Sequence, residues 1–371
     1  MFTKILKIKN KKNINLLNIP IGKFYQIGFI RMFKFFFGLL YIKINKYSLE
    51  YKIRLFGCTI YKNKNSDSLK YKALYRILKK KKLLYKNIYI FTGSPSGELY
   101  IILNLINAIL KNKLRDDVLF VVDKKFKKVL CKLYCPDISC IIENKINLFV
   151  FDKSFYSYKD VSFFSLFVTK HYLEQDKKIN KIGIHYYEYI RQDLGIKDDV
   201  EFHVPKISRV TQEKIKKYVN KNELNNFIIL SPEANTSSVL SKKFLQTLCA
   251  ELNKKSYKVF LNIMHVENYI DDCYVNYFSY DEIIELSKYA KAIIGLRSGL
   301  IDILSTLDID IHCFYTAFPK RGYLEPMSSE NALKGFSLKK MPNTNKDRIF
   351  EYDINKISEE QLLKIILSNI K

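Results

Sequence analysis

The chain reads as an α/β protein: two successive Rossmann-like domains behind a basic, aromatic opening segment. Three observations lead there. Its 371 residues are 48% apolar and 27% charged, which suits two domains of about 150 residues each with ordinary cores. From Asn87 onward, apolar runs of strand length alternate with stretches of helix length, the rhythm of a parallel sheet with covering helices. That series breaks off and restarts around Pro205 to Lys221, which marks a join between two such units.

The opening, residues 1–85, is set apart by charge. The formal net charge is +26, and of the 63 basic residues only nine are Arg. Together with 27 Tyr, 26 Phe and no Trp, this lysine excess resembles the codon bias of an AT-rich genome, but its distribution is uneven. Residues 1–90 hold 22 Lys and Arg against only Glu50 and Asp67, a net of +20, whereas the remaining 281 residues carry a net of +6. Within the opening, Tyr25 to Ile44 mixes bulky apolar residues with Arg31, Lys34 and Lys43. A short helix there would lie in a lipid headgroup layer with its basic stems reaching outward, and the run Lys79 to Lys82 would add attraction to anionic lipid. Packing of the same helix on its own domain is the plainer alternative. Nucleic acid is disfavoured because Arg, the residue of bidentate phosphate contacts, is scarce. The longest apolar run near the N-terminus, Phe35 to Ile42, is far short of the roughly 18 residues of a membrane span. The opening also lacks the small-residue cleavage site of a secretory signal.

The first α/β series starts with a strand at Ile88 to Phe91, the turn Thr92 to Glu98 and an apolar helix, Leu99 to Leu110. A strand at Val118 to Val122, a helix near Phe126 to Leu133, and strands near Ile138 to Ile142 and Leu148 to Phe151 follow. The second series alternates strands at Ile228 to Leu230, Tyr257 to Ile263, Ala292 to Ile294 and Ile311 to Phe314 with helices at Lys242 to Lys254, Tyr280 to Tyr289 and Ser298 to Thr306. A last helix, about Ser358 to Ile370, is expected to lean back on the first domain. The resulting division is 1–85, 86–210, 211–345 and 346–371.

Ligands of open α/β sheets bind beyond the carboxyl ends of the strands, so three strand-exit loops draw attention. The first holds Ser94, Ser96, Gly97 and Glu98. Glu98 is placed either to take a proton from an acceptor hydroxyl or to satisfy a helix start. The second holds Ser231, Glu233, Asn235, Thr236, Ser237 and Ser238 ahead of Lys242 and Lys243. Hydroxyls and amides at a helix entrance make a phosphate cradle, or they simply cap the helix. The third is Arg297, Ser298 and Gly299 with Asp302 one turn later, suited to a diphosphate or a sugar hydroxyl, or else a surface Arg paired with Asp302. No Walker loop, GxGxxG or hydrolase elbow occurs. The seven cysteines read as reduced, buried thiols. Cys131, Cys135 and Cys140 lie close in sequence but are accompanied by no CxxC pair and no nearby His, so no metal site is expected.

The order of these loops resembles the GT-B glycosyltransferases, and most of all glycosyltransferase family 9, the heptosyltransferase-like enzymes of bacterial surface polysaccharide assembly. The resemblance lies in Ser96-Gly97-Glu98 before an apolar helix, in Phe227 to Ile263, and in Ser279 to Thr306, over roughly residues 87–320. The family has Gly-Asp where Gly97-Glu98 stands, and Asp-Ser-Gly followed by His where Arg297-Ser298-Gly299 and Asp302 stand. The resemblance implies two facing Rossmann-like domains and inverting, metal-independent transfer with no cofactor. The sugar would pass from a nucleotide-sugar in residues 211–345 to a glycan or lipid-linked acceptor near Glu98, the proposed base, in lipopolysaccharide, lipooligosaccharide or capsule synthesis. Such an enzyme would work peripherally on the cytoplasmic face of a bacterial plasma membrane, docked through residues 1–85, with no nucleic acid partner. The competing readings are a non-enzymatic binder of anionic polymer or nucleic acid, and a GT-B-like nucleotide-sugar epimerase.

Overall fold

The computed structural model describes residues 10–16, 19–27, 30–35, 40–45, 50–55, 58–63, 67–91, 95–110, 115–143, 155–165, 177–197, 199–234, 237–264, 270–319, 326–342 and 344–370, with side chains from residue 71 on. In chain order the principal elements begin with β1 (Asn10–Leu16), β2 (Ile19–Ile27), β3 (Ile30–Phe35), β4 (Leu40–Asn45), β5 (Glu50–Leu55), β6 (Cys58–Asn63) and α1 (Asp67–Lys80). Then come β7 (Asn87–Phe91), α2 (Ser96–Ile109), β8 (Val118–Val122), α3 (Lys125–Tyr134), β9 (Ser139–Ile142), β10 (Phe155–Tyr158), β11 (Val161–Ser165), α4 (Tyr186–Asp193) and α5 (Arg209–Lys221). The remainder is β12 (Phe227–Ser231), α6 (Lys242–Lys254), β13 (Lys258–Asn262), β14 (Tyr274–Asn276), α7 (Tyr280–Ser287), β15 (Ala292–Leu296), α8 (Gly299–Leu304), β16 (Asp310–Tyr315), α9 (Ser329–Phe336), β17 (Ile349–Asp353) and α10 (Glu359–Asn369). The expected strand at Leu148 to Phe151 lies outside the described residues.

The chain divides into two compact units that do not follow its linear order. One comprises residues 1–93, 117–124 and 141–169, the other residues 94–116, 125–140 and 170–371. In the first unit, β1 to β6 form a sequential antiparallel meander. This corrects the helix expected within Tyr25 to Ile44. The stretches Ile42-Lys43-Ile44 and Tyr51-Lys52-Ile53-Arg54 alternate with a period of two and are rich in β-branched and aromatic residues, which suits a pleated sheet. The other sheet has the order β10-β11-β7-β8-β9. Its β7 pairs in parallel with β8 and β11, and β10 is an antiparallel edge. Tyr71, Leu74, Tyr75 and Leu78 of α1 close a core over Ile88, Ile90, Leu119, Val121 and Phe163, so the apolar stripe of α1 has the helical spacing of a covering helix.

The second unit carries a six-stranded sheet in the order β14-β13-β12-β15-β16-β17, parallel throughout. Numbered from β12, that order is 3-2-1-4-5-6, the doubly wound Rossmann arrangement. The strands β12 and β15 are buried along their whole length, as strands covered on both faces must be. One face packs Ile228, Leu230, Val259, Leu261, Ile294 and Phe314 against Phe244, Leu248 and Leu252 of α6. The C-terminal helix α10, expected to lean on the first domain, adds Leu362 and Ile366 to this same core. Its start is set by a capping box of Ser358 and Gln361, which satisfies two donors that a helix end leaves open. The sheets thus show the α/β class: one sheet parallel but for its β10 edge, and one Rossmann sheet parallel throughout.

Candidate functional site at the switch point of the second sheet

In the Rossmann order the chain leaves β12 toward one side of the sheet and β15 continues toward the other, so a crevice opens beyond the carboxyl ends of these two neighbours. Ser231 and Gly295 are register partners at that point. A Cβ on Gly295 would run into the Ser231 carbonyl, so the close approach of the two strand ends requires glycine. The second and third loops singled out in the sequence leave from this point.

The loop after β12 is tied down by its own polar groups. Ser231 is buried, and the Glu233 carboxylate accepts from the Met264 backbone amide at 2.7 Å, bridging the exits of β12 and β13. Ser237 Oγ donates to the Arg297 carbonyl at 3.4 Å. The Ser238 amide and hydroxyl both donate to the Ala317 carbonyl at 3.0 Å, and Thr316 Oγ1 donates back to the Ser238 carbonyl. These hydroxyls therefore hold three strand exits together. The cap of α6 is a different residue, Ser241, whose Oγ accepts from the Phe244 amide. Asn235 and Thr236 lie outside the described residues.

The third loop holds the Arg297–Asp302 pair that was one of the two alternatives read from sequence, but the pair is buried and not at the surface. Arg297 is 9% exposed and Asp302 is fully buried, with Nη2 2.9 Å from the Asp302 carboxylate. The guanidinium lies against the rings of Tyr186 and Phe336, 4.7 and 4.5 Å from their centroids, within cation–π range of both, and the two rings touch each other with centroids 5.0 Å apart. Burial is the largest influence on Arg297 and works against its charge, but Asp302 together with Tyr186, Tyr315 and Cys313 outweighs it and holds the group protonated above its ordinary range. Burial pushes the Asp302 carboxyl up while Arg297 pulls against it. Beside them the Ser298 hydroxyl is buried without a hydrogen-bond partner among the described residues, and such a group normally has one.

The first loop meets the third at the heads of two helices, both in the second unit. Gly97 is buried where a Cβ would strike the Asp302 carboxylate, and a Cβ on Gly299 would strike Ser96 and the Gly97 backbone. The start of α2 thus packs directly on the start of α8 through a glycine-to-glycine contact. Pro95 stands at the cap of α2 and makes no side-chain cap bond. Glu98 occupies the first turn, half-buried, next to Gly97. The Ser96 hydroxyl bonds the Tyr280 phenol, whose pKa burial nonetheless raises to about 12.

The structure accordingly brings together Ser96, Gly97, Ser237, Arg297, Ser298, Gly299 and Asp302. Glu98 stands at the rim of that cluster and Glu233 on the neighbouring strand exit. Ser94 lies outside the described residues. Sequence reasoning missed Tyr186 and Phe336, which flank Arg297, and His185, whose Nε2 lies 2.9 Å from the Ser337 carbonyl. His185 and Tyr186 precede the loop by more than 100 residues and Phe336 follows it by nearly 40, so no local pattern joins them. Burial drives the His185 pKa down to about 3. Among the described residues no group of three or more His, Cys, Asp or Glu is placed to hold a metal ion.

No protein-family model matches the sequence, and no curated protein matches it. Among solved structures, the chain is similar to a glycosyltransferase family 9 protein of Veillonella parvula, at 12% identity over 76% of this chain and 97% of that one, with a TM-score of 0.48. It is similar to the dodecameric, iron-containing glycosyltransferase TibC of enterotoxigenic E. coli, at 10% identity over 89% and 87% of the two chains, with a TM-score of 0.46. It is also similar to the E. coli ADP-heptose LPS heptosyltransferase II, at 12% identity over 76% and 98%, with a TM-score of 0.42.

Proposed function

We propose that the protein is a glycosyltransferase that moves a sugar from a nucleotide-sugar to a glycan or lipid-linked acceptor of a bacterial surface polysaccharide. The observation that carries this reading is the convergence of two polar loops and the head of α2 on the switch point between β12 and β15. In this reading residues 211–345 carry the donor, with its diphosphate against the Ser231 to Ser238 loop and Ser298. Backbone amides and hydroxyls there neutralise the charge of the leaving diphosphate without a metal. Arg297, being buried, acts as a fixed positive charge behind the loop and not as a surface hand. Residues 86–210 serve the acceptor, and Glu98 takes the proton from its hydroxyl as oxygen attacks the anomeric carbon. A single displacement of that kind inverts the anomeric centre. The enzyme works at the cytoplasmic face of the plasma membrane, and no cofactor takes part.

Glu98→Gln tests the reading most locally. It preserves shape and changes helix stability by only about 0.5 kcal/mol through the lost first-turn charge. Transfer, followed as release of nucleoside diphosphate in the presence of acceptor, should fall by about a hundredfold or more, with donor affinity unchanged. Wild-type turnover in that variant removes Glu98 as the base.

A further inference from the structure

The N-terminal meander sorts its residues by face. In an antiparallel sheet directly opposed residues share a face, and successive residues alternate. One cross-strand row runs Lys12, Phe24, Phe33, Ile42, Ile53 and Tyr61. The flanking row on the same face holds Phe35, Leu40 and Leu55. This face is predominantly apolar. The row between them, on the opposite face, runs Asn13, Lys23, Lys34, Tyr41 and Arg54. Its neighbour on that face runs Lys11, Tyr25, Met32, Lys43, Lys52 and Lys62. These two rows hold no acidic residue, the next row on that face, Ile27, Ile30, Asn45 and Glu50, holds one, and the rows cross six strands, roughly 24 Å at the usual strand spacing.

Lys23 stands directly opposite Lys34, and Lys43, Lys52 and Lys62 stand in succession across three strands. Like charges so opposed destabilise a sheet, so the arrangement is unfavourable until anions neutralise it. We propose that this face of the meander is a docking surface for an anionic lipid bilayer. These positions share one sheet face by register, and their basic residues are almost entirely lysine, the compact charge that does not need the bidentate geometry of a specific phosphate site. Tyr25 and Tyr41 are interleaved with it, the residue type enriched at the headgroup level of membranes. The surface differs from the helix expected in the sequence: the basic residues form a two-dimensional array set by strand register. The proposal stands on that register alone and is independent of the transfer reaction.

The test uses the full chain with vesicles of mixed phosphatidylglycerol and phosphatidylcholine, and with pure phosphatidylcholine vesicles. The triple variant Lys43→Thr, Lys52→Thr, Lys62→Thr should lose about a hundredfold in partitioning to the anionic vesicles, from about fivefold per lysine. The same variant should unfold at a higher urea concentration, because the opposed charges are gone. The charge-preserving Lys43→Arg, Lys52→Arg, Lys62→Arg should partition like the wild type. A control of equal charge loss on α5, Lys216→Gln, Lys217→Gln, Lys221→Gln, removes exposed lysines and should retain most of the binding. Wild-type partitioning of the threonine variant, or an equal loss in the α5 control, overturns the proposal. So does release of the wild type from the vesicles by single-stranded DNA at equal phosphate concentration, which would assign the face to nucleic acid.

Discussion

The N-terminal meander and the C-terminal Rossmann sheet use apolar residues in opposite ways. In the meander, apolar and basic residues alternate, and each row across the strands is mostly of one kind. In the Rossmann sheet, β12 and β15 are buried from end to end, and their polar groups gather where the chain leaves these two strands. A two-faced sheet can work along its whole surface, whereas a sheet covered on both faces can work only at its ends. The basic excess belongs to the first region, and the candidate site, with its single buried cation, to the second.

The sharpest way to break this contrast is to unpair that cation. Arg297→Ala leaves Asp302 buried without its partner and should cost about 3–5 kcal/mol, read from urea unfolding. Arg297→Ala combined with Asp302→Ala should cost less than the sum of the two single changes. Additive losses would show that the pair is not coupled. The glycine contact at the helix heads comes next. Gly299→Ala forces a methyl into the Gly97 backbone and should destabilise by about 1–3 kcal/mol, whereas Gly195→Ala, with no atom near its Cβ but a positive φ, should cost about 1 kcal/mol.

Acid gives the third prediction. Burial holds His185 near 3 and His312 near 4, both below the ordinary histidine value of about 6.5. Both are therefore neutral in the folded chain and protonated in the unfolded chain at mildly acid pH. Their contribution is complete above pH 6.5 and is lost as pH falls through 6 and 5 toward those values. Each histidine adds at most about 1.4 kcal/mol per pH unit to that slope. His312→Gln should flatten the fall of the urea midpoint between pH 6.5 and 4 relative to the wild type. An unchanged slope would remove His312 as a contributor. The smallest effect belongs to the surface: Lys334→Gln breaks an exposed pair with Glu330 and should change stability by less than about 0.5 kcal/mol.

The parts of the fold legible in the sequence were those in which one local signal decides the element. The helix Lys242 to Lys254 coincides with α6, where Ser241 starts it, and Val118 to Val122 coincides with β8, an unbroken apolar run. The opening was misread because Tyr25 to Ile44 mixes bulky apolar and basic residues, which passes for an amphipathic helix when the cross-strand partners are unknown. Once Phe33 is set opposite Ile42 and Lys43 opposite Lys52, the period of two becomes plain. In the site, Arg297 and Asp302 were paired by their five-residue spacing, but their burial was not visible. It depends on Tyr186 and Phe336, which reach the loop only through the tertiary fold. The meeting of Gly97 with Gly299 is of the same kind: each glycine was seen at a helix start, and only packing joins them.

The most direct test of the central claim is a thermal-unfolding series of the full chain with UDP, GDP, ADP, CMP and their common sugar conjugates at low salt. The account predicts that one nucleotide family raises the Tm. A ligand at a hundredfold excess over its Kd adds about 2.7 kcal/mol, a rise on the order of 5–10 °C for a unit of this size. The same series on Gly295→Val, which blocks the switch point, should show no rise. An unmoved Tm with every nucleotide and conjugate, in a wild-type chain that unfolds cooperatively, would contradict a donor site between β12 and β15.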